Sequence, residues 1–169
     1  MIRYMVSLAL VAGLAGCATP EKPAQVSAKE QVDNLAQMCA DNAGAMRKRQ
    51  EEQTLYSRLG EREGIEKLIT RLHAQHLKNK QIAHFFKDIL EEAFINNVTD
   101  FLAANAGGGG EYNGRTMDEV HKNLGITHAD FLSAGGDVQN VMKELGYGEN
   151  EIQESVCFLV SFVPAVVTN

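Results

Sequence analysis

The sequence predicts an all-α fold. Apolar residues recur at the i, i+3, i+4, i+7 spacing of a helix face in one segment after another. Capping residues and glycines punctuate those segments, and no stretch alternates convincingly enough to be a strand. At 169 residues the chain is long enough for one ordinary domain with extra segments.

The chain opens on a targeting pattern. Arg3 precedes a short apolar stretch, Met5 to Gly13, followed by "LAGC", Leu14 to Cys17. That run is well short of the roughly 20 residues needed to span a bilayer. It resembles a bacterial lipoprotein signal over residues 1–16. The resemblance implies cleavage before Cys17, lipid on its sulfur and amino group, and stable anchoring by more than one acyl chain. An ordinary secretory signal or a plain membrane anchor is the alternative. Ala18 follows the cysteine, which in a Gram-negative lipoprotein implies the outer membrane, with the protein on its periplasmic side. Residues 17–29 carry Pro20 and Pro23 among small polar residues and read as a tether. Residues 30–53 form a helical extension with Val32, Leu35, Cys39, Ala43 and Met46 on one stripe. "MRKRQEEQ" within it reads as a solvated charge run.

Residues 54–169 form the main domain. "TLYSRLG" is one or two helical turns stopped by Gly60. Glu63 to Lys78 puts Ile65, Leu68, Ile69, Leu72 and His76 on one side, and "QIAHFFKDI" is a compact corner. Glu91 to Ala106 puts Leu90, Phe94, Val98, Phe101 and Leu102 on another stripe. "AGGGGEYNG" lacks a preceding strand and a following lysine, so it is a loop and not a phosphate cradle. Thr116 and Glu119 form a capping box that starts a helix at Met117, and Gly125 is its natural stop. Thr127 and Asp130 cap the next helix, Ala129 to Leu145. The last helix runs from about Glu149 through Val163.

One residue of that short helix asks for an explanation. Met117, Val120, His121 and Leu124 follow the spacing of a buried face, so His121 points inward. Two readings stand on spacing alone: a core histidine with a hydrogen-bond partner, or an axial ligand to an apolar cofactor.

The net charge of −6, without a basic block, argues against nucleic acid as a partner. No P-loop motif and no Cys-x-x-Cys pair is present. Export to an oxidising compartment would let disulfides persist. With Cys17 spent on lipid, Cys39 and Cys157 either pair, pinning the extra helix to the domain, or remain two free buried thiols.

"TLYSRLGEREGIEKLI", "HFF", "FLAANAGG" with "YNGRTM", and "VHKNLGIT", in this order, resemble a group I truncated haemoglobin from about Thr54 to Val163. The resemblance implies a two-over-two helical sandwich holding haem b, here with an extra N-terminal helix. It places His121 at the proximal iron ligand and Phe86 at the phenylalanine packed on the haem plane. Phe94, Val98, Phe101, Leu102, Met117, Ile126, Phe131 and Val156 match pocket-lining positions. The imidazole nitrogen not on iron should donate to a backbone carbonyl. On the opposite, distal side, His73 stands where family members often have tyrosine. Phe94 and Val98 stand where they often have glutamine, with Asn97 beside them as a solvated helix residue. His73 is expected as a hydrogen-bond donor to bound gas, as a direct sixth ligand, or as a ring turned to the surface. His76, His84 and His128 are expected at the surface or in a partial core.

The function expected on this resemblance is binding of a diatomic gas (O2, NO or CO) in the cell envelope. NO detoxification to nitrate would further need electrons from a separate reductase, because the chain has no flavin or pyridine-nucleotide motif. The alternatives are a six-coordinate haem module for electron transfer or redox sensing, and a haem-free structural lipoprotein.

Overall fold

The structure, a computed structural model, describes residues 26–169. The expected lipoprotein signal, Cys17 and the first residues of the tether lie outside the described residues. Within them every regular element is helical: α1 (Ala28–Glu52), α2 (Leu55–Arg58), α3 (Glu61–His76), a 3-10 turn (Ala83–Phe85), α4 (Glu91–Asn105), α5 (Met117–His121), α6 (His128–Glu144), α7 (Glu149–Val160) and α8 (Val163–Val166). None of these helices is long and apolar enough to cross a membrane.

The main domain is a two-over-two arrangement. α3 packs on α4 and crosses α6, and α6 packs on α7. Ile65, Leu68, Ile69 and Leu72 of α3 meet Leu102 of α4, Val141 and Met142 of α6, and Ile152 of α7 in one core. Each such side chain contributes about 1.5–3 kcal/mol on burial. So small a sandwich needs tight loops. Gly60, at φ 86°, turns the chain from α2 into α3 in a left-handed conformation that glycine takes without strain. After α4 the chain passes so close to α2 that a Cβ on Gly108 would stand 2.6 Å from the Tyr56 ring and 2.7 Å from the Ala103 carbonyl.

The extra helix is part of the packed body. α1 starts at Ser27, whose hydroxyl accepts from the Glu30 N–H, and lies against α6 and α7. Its expected stripe faces the domain, with Val32 buried and Leu35, Cys39, Ala43 and Met46 partly covered. Cys39 is bonded to Cys157 of α7, with Cα atoms 5.4 Å apart.

The charge run at the end of α1 is not simply solvated, which corrects the sequence reading. Arg49 pairs with the buried Glu154 at 2.5 Å, and Arg58 of α2 reaches both Glu154 and Glu151. A carboxylate buried between two guanidiniums is tolerable because each charge has a partner. Gln50 donates to the Ala106 carbonyl and accepts from the Leu55 N–H, tying α1 to the ends of α2 and α4.

Two helices end three or more residues earlier than expected. α5 stops at His121 and not near Gly125, because Lys122 already leaves the helix at ψ 131° and Asn123 then turns left-handed at φ 63°. Asparagine is one of the few side chains that tolerate that region. The last helix breaks after Val160. Pro164 has no N–H to give the Val160 carbonyl and its ring would crowd that carbonyl, so the chain restarts as α8, which packs on α5.

Candidate functional site

α4, α5, the start of α6 and the corner around the 3-10 turn enclose a cavity of about 330 Å³. Its lining is mostly hydrocarbon and aromatic, as expected of a site for a flat apolar ligand. Phe94, Val98 and Phe101 come from one stripe of α4, and Phe86 comes from the corner. Met117 and His121 come from α5, with Ile126 and Phe131 just beyond it.

His121 is the cavity's imidazole. The capping box of Thr116 and Glu119 is formed and fixes where α5 begins. One turn later the His121 Nδ1–H donates to the Met117 carbonyl at 2.9 Å. That bond sets the tautomer and orients the ring, leaving the Nε2 lone pair free as a donor to a metal. The apolar walls and this single oriented nitrogen fit an iron porphyrin.

Two expected pocket residues do not line the cavity. Leu102 is one position past Phe101, a rotation of about 100° around the helix, and so faces the core between α3 and α6. Val156 is buried on the side of α7 that meets α1, beside Leu35 and Met38. The extra helix occupies that face, and Val166 of α8 supplies the cavity wall instead.

The distal side is more apolar than its histidines suggest. His73 is buried, 3% exposed, yet it is not on the cavity wall. It packs on the Phe94 ring, which does line the cavity, at a centroid distance of 4.9 Å. Among the described residues neither of its ring nitrogens has a hydrogen-bond partner, and the nearest carboxylate oxygen, of Glu91, is 4.0 Å away. A surface position for His73 is therefore corrected. Asn97 borders the cavity at its exposed edge, with its amide N–H donating to the Ala93 carbonyl of its own helix. His84 is exposed and His128 half-buried.

His76 is buried, against the expectation of a surface or partly covered site. Its Nδ1–H donates to Asp137 at 2.9 Å and its ring stacks on Phe86. Sequence periodicity put His76 on the inner face of α3; only its partner on α6 was invisible. Sequence reasoning also missed Tyr112, Arg115 and Asp130 at the cavity's polar edge. They lie on loops or at a helix start, where no periodicity marks direction. Asp130 is committed to structure as the N3 partner in the capping box of α6. Burial pushes its carboxyl up, but hydrogen bonds donated by the Thr127 hydroxyl and N–H and by Gln81 outweigh that and hold it below the usual carboxylate range.

The family model described as Bacterial-like globin matches residues 54–167. The chain belongs to the bacterial-like globin family. Among similar proteins, the group 1 truncated haemoglobin of Tetrahymena pyriformis is 28% identical over 103 residues, covering 61% of this globin and 85% of the relative. That of a Synechocystis species is 30% identical over 105 residues, covering 60% and 85%. The crystal structure of a single-site variant of the Tetrahymena pyriformis truncated haemoglobin, in its Fe(III) form, superposes on this globin with a TM-score of 0.66 at 25% identity. It covers 69% of this chain and all of that one. Globins hold haem iron through a proximal histidine. In this globin the cavity, its oriented imidazole and the corner phenylalanine occur together.

Proposed function

We propose that this globin binds haem b with His121 as the proximal iron ligand and takes a diatomic gas, O2 or NO with CO as a probe, on the opposite face. The observation that carries the reading is the His121–Met117 hydrogen bond at the wall of an apolar cavity. When bound, the haem supplies the iron that holds the gas. The chain's own residues orient the ligating imidazole, exclude water and wall the distal side with Phe86, Phe94 and Val98. Arg115 and Tyr112 offer polar groups for the carboxylate edge of the porphyrin. Lipidation at Cys17 would hold the globin in the cell envelope, on the periplasmic face of the outer membrane in a Gram-negative cell. NO detoxification is the activity we propose to test, with electrons supplied by a separate reductase.

A second reading, a six-coordinate module for electron transfer or redox sensing, is favoured by one observation: His73 is buried without a partner next to the distal wall. To reach the iron it would have to displace Phe94. The deciding experiment is spectroscopic. Reconstitution with haemin should give a Soret band, and reduction without added gas should give a five-coordinate spectrum. A low-spin ferrous spectrum abolished in His73→Leu would instead establish the second reading. Rapid mixing of the reduced, oxygenated protein with NO then tests nitrate formation. A protein that refuses haemin would sink both.

A further inference from the structure

Behind the corner that carries Phe86 lies a polar cluster that the proposed function does not use. Asp137, in the middle of α6, is only 5% exposed. Its carboxylate accepts from three side chains of a different part of the fold: His76 Nδ1 at 2.9 Å, Asn79 Nδ2 at 2.8 Å and Gln75 Nε2 at 3.1 Å. Among the described residues, no lysine or arginine is one of its partners. Asn79 also donates to the Ser133 hydroxyl. Its own carbonyl then accepts from the Ile82 and Ala83 N–H groups, and its side-chain oxygen accepts from Gln81 N–H. Asn79 thus holds the turn that leads into the 3-10 helix.

Two routes lead from Asp137 to the cavity, and both end at Phe86. In one, His76, held by Asp137, stacks its ring on Phe86 at 4.6 Å and 24°. In the other, Asn79 fixes the turn over residues 79–83, and the Phe86 N–H bonds to the Ala83 carbonyl. Phe86 in turn meets Phe94 edge-on across the cavity wall. Well-packed apolar contacts are often as stable as a buried carboxylate, so stability alone does not explain the group. Three convergent donors add direction: they select one His76 tautomer and one turn geometry.

We propose that Asp137 is a positioning residue: through His76 and Asn79 it clamps residues 79–89 so that Phe86 is held against the haem. The clamp rests on the haem reading for its consequence, faster haem loss when it is broken, but not for its existence in the apoprotein.

The test uses the full chain in two forms. In the haem-loaded protein, haem transfer to excess apomyoglobin is timed for wild type, Asp137→Leu and Asp137→Asn. Ile152→Ala, a core variant away from the cavity, serves as a control compared at equal distance below each variant's melting temperature. In the apoprotein, amide hydrogen exchange is read across residues 79–89. Asp137→Leu should lose haem about tenfold faster than the control, the lower end of what losing a hydrogen bond to a charged group changes, with Asp137→Asn in between. Exchange over residues 79–89 should rise in Asp137→Leu and not in Ile152→Ala. If Asp137→Leu does not fold, Asn79→Ala, which cuts only the turn route, carries the same two readouts. Haem loss no faster than in the control, or unchanged exchange over 79–89, overturns the clamp. Should wild type take up no haem, the haem reading fails separately and the exchange readout alone decides.

Discussion

His121 gives its Nδ1 proton to a carbonyl one turn back, and that bond decides which nitrogen is free. Replacing it with alanine removes the only histidine on the cavity wall. His121→Ala should therefore lose most haem, or keep it only with imidazole supplied in solution, as read from the Soret band after gel filtration. Normal haem content and an unchanged ferrous spectrum would refute the ligand assignment. His73 is the opposite case, a buried imidazole with neither nitrogen partnered among the described residues. An unsatisfied buried polar group costs about 1–3 kcal/mol. His73→Leu should raise apoprotein stability by roughly that amount in urea unfolding. A stability loss would show that the ring's packing on Phe94, or a polar partner such as ordered water, outweighs its unpaired nitrogens. If the ring also serves the distal site, the same variant will raise the O2 off-rate.

At the scale of elements, the shortness of α5 is functional geometry. Five residues, begun by a capping box and ended by an extended Lys122 and a left-handed Asn123, present one histidine and then turn away. α1 works differently, because it joins the body by packing, by the Arg49–Glu154 pair and by the Cys39–Cys157 bond. That bond closes a loop with a sequence separation of 118 residues. In the chain-entropy account such a link contributes about 3–5 kcal/mol. The double variant Cys39→Ser/Cys157→Ser should unfold at lower urea by that order, with faster hydrogen exchange in α1 than in α3. Equal urea midpoints with and without the bond would show that packing alone holds α1.

For the whole molecule, acid is the informative stress. Burial pushes the His76 imidazole below its ordinary value, even though Asp137 pulls the other way. Burial also pushes the Asp137 carboxyl up, but donation from Asn79, His76 and Gln75 outweighs it and holds the group below the usual carboxylate range. The groups facing this pair are Gln75, Asn79, Ser133 and His73. Both folded groups bind protons less readily than in the unfolded chain. Their stabilisation is thus complete above about pH 6.5 and declines as pH falls, first through the histidine and then through the carboxylate range. Unfolding free energies measured from pH 7.5 to 4 should fall steadily. The slope between about pH 6.5 and 5 should be shallower in His76→Phe/Asp137→Leu. An identical slope in that variant would assign the acid sensitivity elsewhere.

The sequence by itself determined the helical class, the start of α5, and the inward-facing stripes that put Phe94, Val98, Phe101 and His121 on a common wall. Those features are local: a capping box or a 3.6-residue period is written in adjacent positions. The family was legible as well, from short motifs in a fixed order. Tertiary structure decided the rest. Val156 lies on an apolar stripe like the true lining residues, but α1 covers its face, and no period along α7 says which neighbour arrives. His73 and His76 lie on the same helix, yet Asp137 partners only one of them, from 61 positions further along the chain. Arg49 stands in a run of charges that reads as solvated until Glu154 of α7 is brought beside it. In each case the direction of a side chain is set locally, while its partner depends on which helices the fold brings together.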